Sequence, residues 1–592
     1  MSTKRTRKLQ PITLPDRGKV SLDLIDIAAR IVDTSGVLEQ CEDWYAGDKQ
    51  AKGPGGRPSH ISVRAALILA LLPVLMQLPM NLSVTADILT RRLDKKAWDA
   101  IGLRSEDFRR GTYKQWYHRY RNTLRRRVIS CFDPYPETPM RERLKKEVYY
   151  AIKATRDPEF IKQRKMRGSV FGSLLAVASA RLLGDDVFET YLGDVVLDAT
   201  VIEILTYGTT KESKFMPSQP DAGWYRRGGD HNGDAPGVTV TEKRVFGLDA
   251  TLVVATGGRF GEDIPAPIVG VALDKPGRRV GFNGRLALAV FQKSGVPRRY
   301  LVGDRIYSPG AAVDNYQRPT RLDGWGHIGD LPDRDEALGI TADVEGVTQV
   351  AGQPYCPCIA AFEDLLHPKA DHENKDMTDA EREAKHARRK VLQLPIKETR
   401  ADGSQRFQCP ALSGKVFCPL RAGNKQAREA AAKKTALGQP PMPLPQHVLD
   451  KVNTSGKICS QASVLVSIHE HDRFHKYAQQ GPPAYTKEWE QLYRKARNLV
   501  EARNHSMKSM VAIGKGERTK RYMRGIGAFL FLIGLAVAGT NTLLAINYLR
   551  RQIDEGPGPR PPRGGRPRKG RAREDMLSIA GANAPPQIGE AA

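Results

Sequence analysis

Acidic residues are scarce relative to basic ones. The chain of 592 residues sets 66 Asp and Glu against 93 Lys and Arg, a formal net charge of +27 at pH 7. That deficit excludes a surface neutralised by its own ion pairs, because unmatched cations must repel one another or meet phosphate. The expected partner is therefore a polyanion, with double-stranded DNA the default over a membrane surface. Cysteine is also sparse, seven residues in all and an odd number. The start, MSTKRTRKLQPITLP, is basic but runs into proline instead of an apolar core. Together these exclude a disulfide scaffold and predict a reducing, cytoplasmic home beside the nucleoid. Long apolar runs are nearly missing. Residues 61–78 are strongly apolar but are interrupted by Arg64 and Pro73 and are too short to cross a bilayer. Residues 525–548 run 24 positions without a charge, long enough for a span, yet they hold Gly525, Gly527, Gly534, Gly539, Thr540, Asn541, Thr542 and Asn547. No second span accompanies them, so a buried core helix is expected there and no membrane partner.

What is present changes character along the chain. Residues 1–18 form a basic, proline-containing arm, and a helical region follows over 19–185, with helices expected at 22–32, 61–78, 81–93, 95–101, 112–127 and within 141–183. The stretch 112–127, TYKQWYHRYRNTLRRR, interleaves Tyr113, Trp116, Tyr117 and Tyr120 with Arg119, Arg125, Arg126 and Arg127. Aromatics three and four apart anchor one face of such a helix while the arginines project toward phosphates. An ordinary amphipathic helix with a solvated cationic back is the competing reading. The tail over 551–592 is rich in Pro and Gly and contains Arg563-Gly-Gly-Arg566-Pro567-Arg568-Lys569. This resembles an AT-hook, which implies Arg566 and Arg568 in a narrow minor groove; a generic polybasic tail would bind the DNA backbone without that choice of groove.

Three carboxylates stand out. Asp198 and Asp304 each end an apolar run that reads as a buried strand, and Glu501 lies in an uninterrupted helix whose Tyr493, Arg497, Glu501, Asn504 and Lys508 share one stripe at about 100° per residue. Taken alone, Arg497 and Glu501 are a solvated pair four apart, worth a few tenths of a kcal/mol. Taken with the two aspartates, they offer three carboxylates from two strands and a helix, a set able to hold divalent metal.

With Arg four before Glu501 and Lys seven after it, Ala199-Thr200 following Asp198, and Tyr307 three after Asp304, the chain resembles the DDE transposases of bacterial insertion sequences over about residues 55–550. Two positions depart from that pattern: Tyr493 precedes Arg497 by four instead of three, and Ile306 stands where glycine is usual. The resemblance implies an α/β, RNase H-like mixed five-stranded sheet flanked by helices, behind an α-helical N-terminal domain introduced by the loop at 52–58. It implies that Asp198, Asp304 and Glu501 hold two Mg²⁺ about 4 Å apart, with Mn²⁺ able to substitute. It assigns DNA contacts to the Tyr493, Arg497, Asn504 and Lys508 face. Strand cleavage at element ends, strand transfer into target DNA, and a homodimer or higher oligomer on the DNA follow from it. An RNase H-like nuclease without strand transfer, or a domesticated or inactive DNA-binding relative, are the alternatives.

The core's first part is expected over 190–309, with strands at 248–255 and 267–273 and a helix at 285–293 before the Asp304 strand. Trp224 and Arg226, in the Gly-rich loop at 208–237, are further candidate DNA contacts. The distance from Asp304 to Glu501 exceeds what one strand needs, so an inserted domain is predicted over 310–458, with the core resuming at 459–550 and its fifth strand at 462–468. The insertion carries Cys356-Pro-Cys358, Cys409 and Cys418, with Cys459 just beyond. A structural zinc with His367 or His372 is one reading of these; buried free thiols are the other, favoured by the absence of a C-x2-C knuckle.

Overall fold

Apolar runs on either side of the expected acids assemble into one mixed sheet. The computed structural model describes residues 18–50, 59–135, 144–204, 206, 208–210, 212–217, 219–227, 243–257, 264–307, 309–333, 338–510 and 525–555. The 52–58 loop, Arg566 and Arg568 lie outside the described residues, as does the rest of the tail beyond 555.

The central strands are β1 (Asp194–Glu203), β2 (Gly223–Arg227), β3 (Lys243–Thr256), β4 (Ile268–Asp274), β5 (Tyr300–Gly303) and β6 (Gly326–Gly329). Their order is β2-β3-β1-β5-β6, with β4 also on β3. β3 is antiparallel to β1, β2 and β4, whereas β5 is parallel to β1 and β6 parallel to β5. The sheet is thus six-stranded, not five: the Gly-rich loop contributes β2, which pairs with the long extension of β3.

Period-two alternation gives the sheet two apolar faces. Val196, Leu252 and Val254 enter the larger core with Phe171, Leu175 and the residues around Phe531, whereas Leu197, Val253 and Ala255 pack with Ala287, Leu288 and Tyr307. Helices Pro158–Ala180 and Ile526–Glu555 therefore cover one face and Val280–Leu288 the other. The expected helix at 285–293 begins earlier and finishes as a 3₁₀ turn, Phe291–Lys293.

The apolar run at 525–548 is this buried helix. It is the one described helix long and apolar enough to cross a membrane, with a mean hydropathy of 2.1, and 83% of its apolar window is buried inside the protein. Its asparagine explains the placement. Asn541 accepts from Ile268 N–H at 2.9 Å and donates to Ile268 C=O at 2.7 Å, so its amide acts as one residue of an extra strand along the open edge of β4. Ser173 accepts from Val271 N–H at 3.0 Å and Ser169 donates to Val271 C=O at 2.5 Å, one turn-pair further along. Two helices thus satisfy backbone groups that an edge strand would otherwise bury unpaired, at about 1–3 kcal/mol each.

The opposite edge shows where the expected strand order needs correction. Residues 462–468 were the expected fifth strand, but Ser463–Val466 pairs antiparallel with Gln405–Gln408 in a separate three-stranded sheet. The outer parallel strand is instead β6, Gly-His-Ile-Gly, reached through the short helix Gln317–Leu322. A four-residue strand with two glycines and a histidine carries no apolar signature, while the alternating 463–466 segment does. The segment leaving the insertion closes this edge: Gln480 N–H donates to His327 C=O at 3.0 Å, and Gln479 Nε2 donates to Gly329 C=O at 3.0 Å. Inserted material accordingly begins after β6, and includes the strands Ile340–Val344, Val347–Val350, Gln353–Tyr355 and Ile396–Thr399 and the helices Asp379–Leu392 and Lys425–Ala436.

Candidate active site

The parallel register of β1 and β5 ends at Leu197 opposite Gly303. The next residue on each strand is an aspartate: Asp198 lies inside β1, opposite Leu252 of β3, and Asp304 directly follows β5, so the two sit side by side where β5 leaves the sheet. Helix Lys487–Met510 packs against β1 and β3 here. It buries Trp489, Leu492, Ala496, Val500 and Met507, and this apolar stripe turns Arg497, Glu501 and Asn504 toward the aspartates.

One guanidinium joins the three acids. Arg497 Nη1 donates to Asp198 Oδ1 at 2.8 Å, while its Nη2 lies 3.4 Å from Glu501 Oε1 and 3.8 Å from Asp304 Oδ2. Asn504 Nδ2 donates to the other Asp198 oxygen at 2.7 Å. Side-chain exposure rises from 14% at Asp198 to 36% at Asp304 and 59% at Glu501, so the trio opens from the sheet to solvent. Burial pushes the Asp198 carboxyl above its ordinary range; Arg497 opposes this, and the charges of Asp304 and Glu501 add to it. Burial works against the charge on Arg497, but its contacts with Asp198 and the charge of Asp304 outweigh it and hold the guanidinium above its already high value.

The remaining expected site residues take varied positions. Tyr493 stacks on Trp489 at 4.7 Å and 8°, which commits one ring face to protein packing, and burial pushes its hydroxyl up. Lys508 is half-buried and acts electrostatically on Asp249. Tyr307 is fully buried, with its hydroxyl 3.4 Å from Thr251 Oγ1, so it is a core residue supporting the Asp304 turn. Trp224 is 44% exposed on β2, against Phe246.

In the N-terminal helices, the basic stretch forms Tyr113–Thr123, capped by Thr112 and Gln115, and then relaxes into a π turn, Leu124–Val128. Trp116 and Tyr120 are buried. Arg119 lies over the Trp116 ring at 4.6 Å, and Arg127 over Tyr45 at 4.1 Å while also pairing with Glu42. Arg125 and Arg126 are the exposed members of the run.

The sequence reading missed Asp249. It sits on β3 opposite Val201 and, on its other side, opposite Asp274, on the sheet face away from Asp198. Its Oδ1 is buried without a hydrogen-bond partner. Burial raises its pKa from 3.8 to about 6, aided by Asp198 and Asp274 and opposed by the Gly277 N–H and Lys508. The signal was a charged residue inside an otherwise apolar strand.

The acids suit a hard divalent cation in donor type, since all are carboxylate oxygens. Among the described residues, however, no group of three or more His, Cys, Asp or Glu side chains is set to hold a metal. Arg497 stands among the carboxylates, and an ion shared by them would replace its N–H donors at Asp198. No family model, curated protein or solved structure matches the chain.

Proposed function

We propose that this protein is a Mg²⁺-dependent DDE transposase with an RNase H-like core, cleaving DNA at element ends and transferring the freed strands to target DNA. The observation that carries the reading is the gathering of Asp198, Asp304 and Glu501 about Arg497, from β1, β5 and one helix. The strand order β4-β3-β1-β5-β6, antiparallel on one side of β1 and parallel on the other, supports it, since RNase H-like sheets are built that way.

In this reading Asp198, Asp304 and Glu501 would hold the Mg²⁺ ions, for which Mn²⁺ would substitute, and such ions would supply activation of the attacking oxygen and stabilisation of the leaving one. The chain's own contribution is placement. Asn504 fixes the rotamer of Asp198 through its 2.7 Å hydrogen bond. Arg497 balances the negative charge of the trio until DNA and cations arrive, and then faces a scissile-strand phosphate as a planar donor. Lys508 adds a cation on the same helix. Arg125 and Arg126 would hold duplex DNA by its backbone, and a homodimer or larger assembly beside the nucleoid would bring two ends together.

The test uses purified full-length protein, Mg²⁺, and duplexes carrying the inverted repeats that flank the coding sequence. Cleavage at the repeat ends with joined products in a supercoiled target is the expected result. Cleavage without joining would leave the nuclease, and binding without cleavage in Mg²⁺ or Mn²⁺ would leave the DNA-binding relative.

A further inference from the structure

A half-open cleft of about 340 Å³ lies among the N-terminal helices and shares no residue with the acid cluster. Thr90, Arg91, Trp98, Phe108, Arg109 and Trp116 help to line it, and none of its lining residues is acidic. Its two walls are built differently. One is the π turn Ile88–Arg92, closed where Leu93 N–H donates to Ile88 C=O at 3.2 Å. The other is the loop that follows the 3₁₀ turn Ser105–Asp107. Two indoles pin that loop: Trp98 Nε1 donates to Arg104 C=O at 2.9 Å, and Trp116 Nε1 to Arg110 C=O at 2.7 Å. Trp98 and Trp116 are themselves buried and meet edge to face at 5.1 Å, so they form a rigid floor.

Each wall combines an uncommon backbone with a guanidinium. The π turn continues the helix Leu82–Asp87 and brings Thr90 and Arg91 to the cleft; such turns are rare and occur mostly at functional sites. Arg109 has φ 56°, in the left-handed region, which a long side chain occupies at a cost. Both arginines are exposed. Asp87 serves two cations at once, holding Arg92 Nε at 3.0 Å and lying 3.4 Å from Arg91 Nη1, so the π turn keeps an excess of positive charge. Arg109 has no acidic partner among the described residues, and its guanidinium lies over the half-buried Phe108 ring at 5.4 Å. A cationic guest would be repelled from both walls, and a wholly apolar one would strip water from the guanidiniums without replacing it. An anion with a flat ring meets both features, the charge and the stacking surface of Phe108 and Arg109. The volume is at the small end of ligand sites, about 300–1,000 Å³, which suits one nucleotide and not a base pair.

We propose that this cleft binds one unpaired nucleotide, with its phosphate on Arg91 and its base stacked at Phe108 and Arg109. A nucleotide unstacked from a DNA strand and a free nucleoside monophosphate share that chemistry. The net charge of +27 favours the strand, whose neighbouring phosphates add attraction that a lone nucleotide lacks. The N-terminal helices would then do more than hold a duplex by its backbone. They would tell unpaired from paired DNA, because a base stacked in a duplex cannot enter the cleft. With the loop already pinned by the two indoles, little ordering is left to accompany binding. The inference rests on the DNA-binding part of the reading above and does not involve the acids, so its test needs no cleavage.

The full-length protein, without divalent metal, is titrated with a duplex carrying a single bulged 2-aminopurine nucleotide. It is expected to bind this about tenfold more tightly than the fully paired duplex of the same length, and to quench the probe's fluorescence. Arg91→Ala, Phe108→Ala and Arg109→Ala should each remove most of that preference, and exposed Lys96→Ala should keep it. Equal affinity for bulged and paired duplexes, with the probe unquenched, would overturn the cleft and leave duplex binding standing. Absence of all DNA binding would overturn the reading on which it rests as well. Adenosine monophosphate that quenches tryptophan fluorescence, with no preference for the bulge, would uphold the ligand chemistry and assign the source to free nucleotide. Polyglutamate displacing the bulged probe as well as adenosine monophosphate does would overturn the nucleotide in favour of an acidic peptide. A 5-iodouracil at the bulge, photocrosslinked to the unmutated chain, should attach within residues 88–116; attachment elsewhere would overturn the site even if a variant fails to fold.

Discussion

The acids beside β1 and β5 and the cysteines of the inserted region are both polar side chains set in or against a core, and the fold stabilises them in opposite ways. The carboxylates are charged, and a guanidinium stands among them. The Cys409, Cys418 and Cys459 thiols are kept neutral by burial, which pushes their pKa values up. Under the proposed function, an ion arriving at the acids displaces Arg497 from Asp198.

The sharpest way to break this contrast is to remove one acid at a time. Asp198→Asn, Asp304→Asn and Glu501→Gln are each expected to lower Mg²⁺-dependent cleavage by about 1,000-fold or more while binding of end DNA persists, since shape is kept and a metal-facing charge is lost. Gel assays for cleavage and for binding, run on the same preparations, check this. Exposed Glu488→Gln should have no effect. Asp194→Asn is a different control: Asp194 holds Arg299 through two contacts, one of 2.7 Å, so its loss should lower Tm and leave the activity of the folded fraction intact.

Next in size is Arg497→Ala. Without its cation the trio repels itself, so the metal-free protein should lose about 2 kcal/mol in urea unfolding. Added Mg²⁺ should then raise Tm more than it does in the unmutated chain, because the competitor is gone. Equal Mg²⁺ shifts in the two proteins would detach Arg497 from the ion site.

Asp249 supplies a smaller effect with a defined pH window. Its folded pKa of about 6 exceeds the unfolded value near 3.8, so the folded state binds the extra proton between them. Stability from this group is present below about pH 4 and is lost as pH rises through about 6, by roughly 2–3 kcal/mol at most. Asp249→Asn should flatten that fall and raise Tm at pH 7.5 but not at pH 4. A fall of unchanged size in the variant would assign the titration elsewhere.

The smallest effect concerns DNA affinity. With Arg127 paired to Glu42, the Arg125→Ala, Arg126→Ala double variant should flatten the log-log salt dependence of duplex binding by about 0.9 per lost contact, and adding Arg127→Ala should change it little further.

Legibility followed the physics of each element. The Glu501 helix was readable because no Gly or Pro interrupts it and its apolar stripe is regular. Asp198 and Asp304 were readable because each closes an apolar run, although β1 itself continues to Glu203. β6 was not, since Ile328 is its one apolar core side chain and pairing with β5 and with the Gln479 and Gln480 amides supplies the rest of its support. The role of Arg497 as a bridge among three acids was invisible for a related reason: helical spacing relates it to Glu501 alone, and only strand register brings in the other two.

Asn541 has a consequence for biosynthesis. The edge of β4 at Ile268 is covered by a side chain 273 residues further along the chain. At about 5–20 residues per second, a ribosome needs roughly 15–55 s to make the intervening stretch. Throughout that interval the nascent chain carries a buried-type strand whose outer N–H and C=O groups at Ile268 lack their partner, a template for pairing with a neighbour on the same polysome. Chaperone occupancy should therefore be greatest on nascent chains between these two points, and chains stopped short of Asn541 should aggregate more than full-length ones.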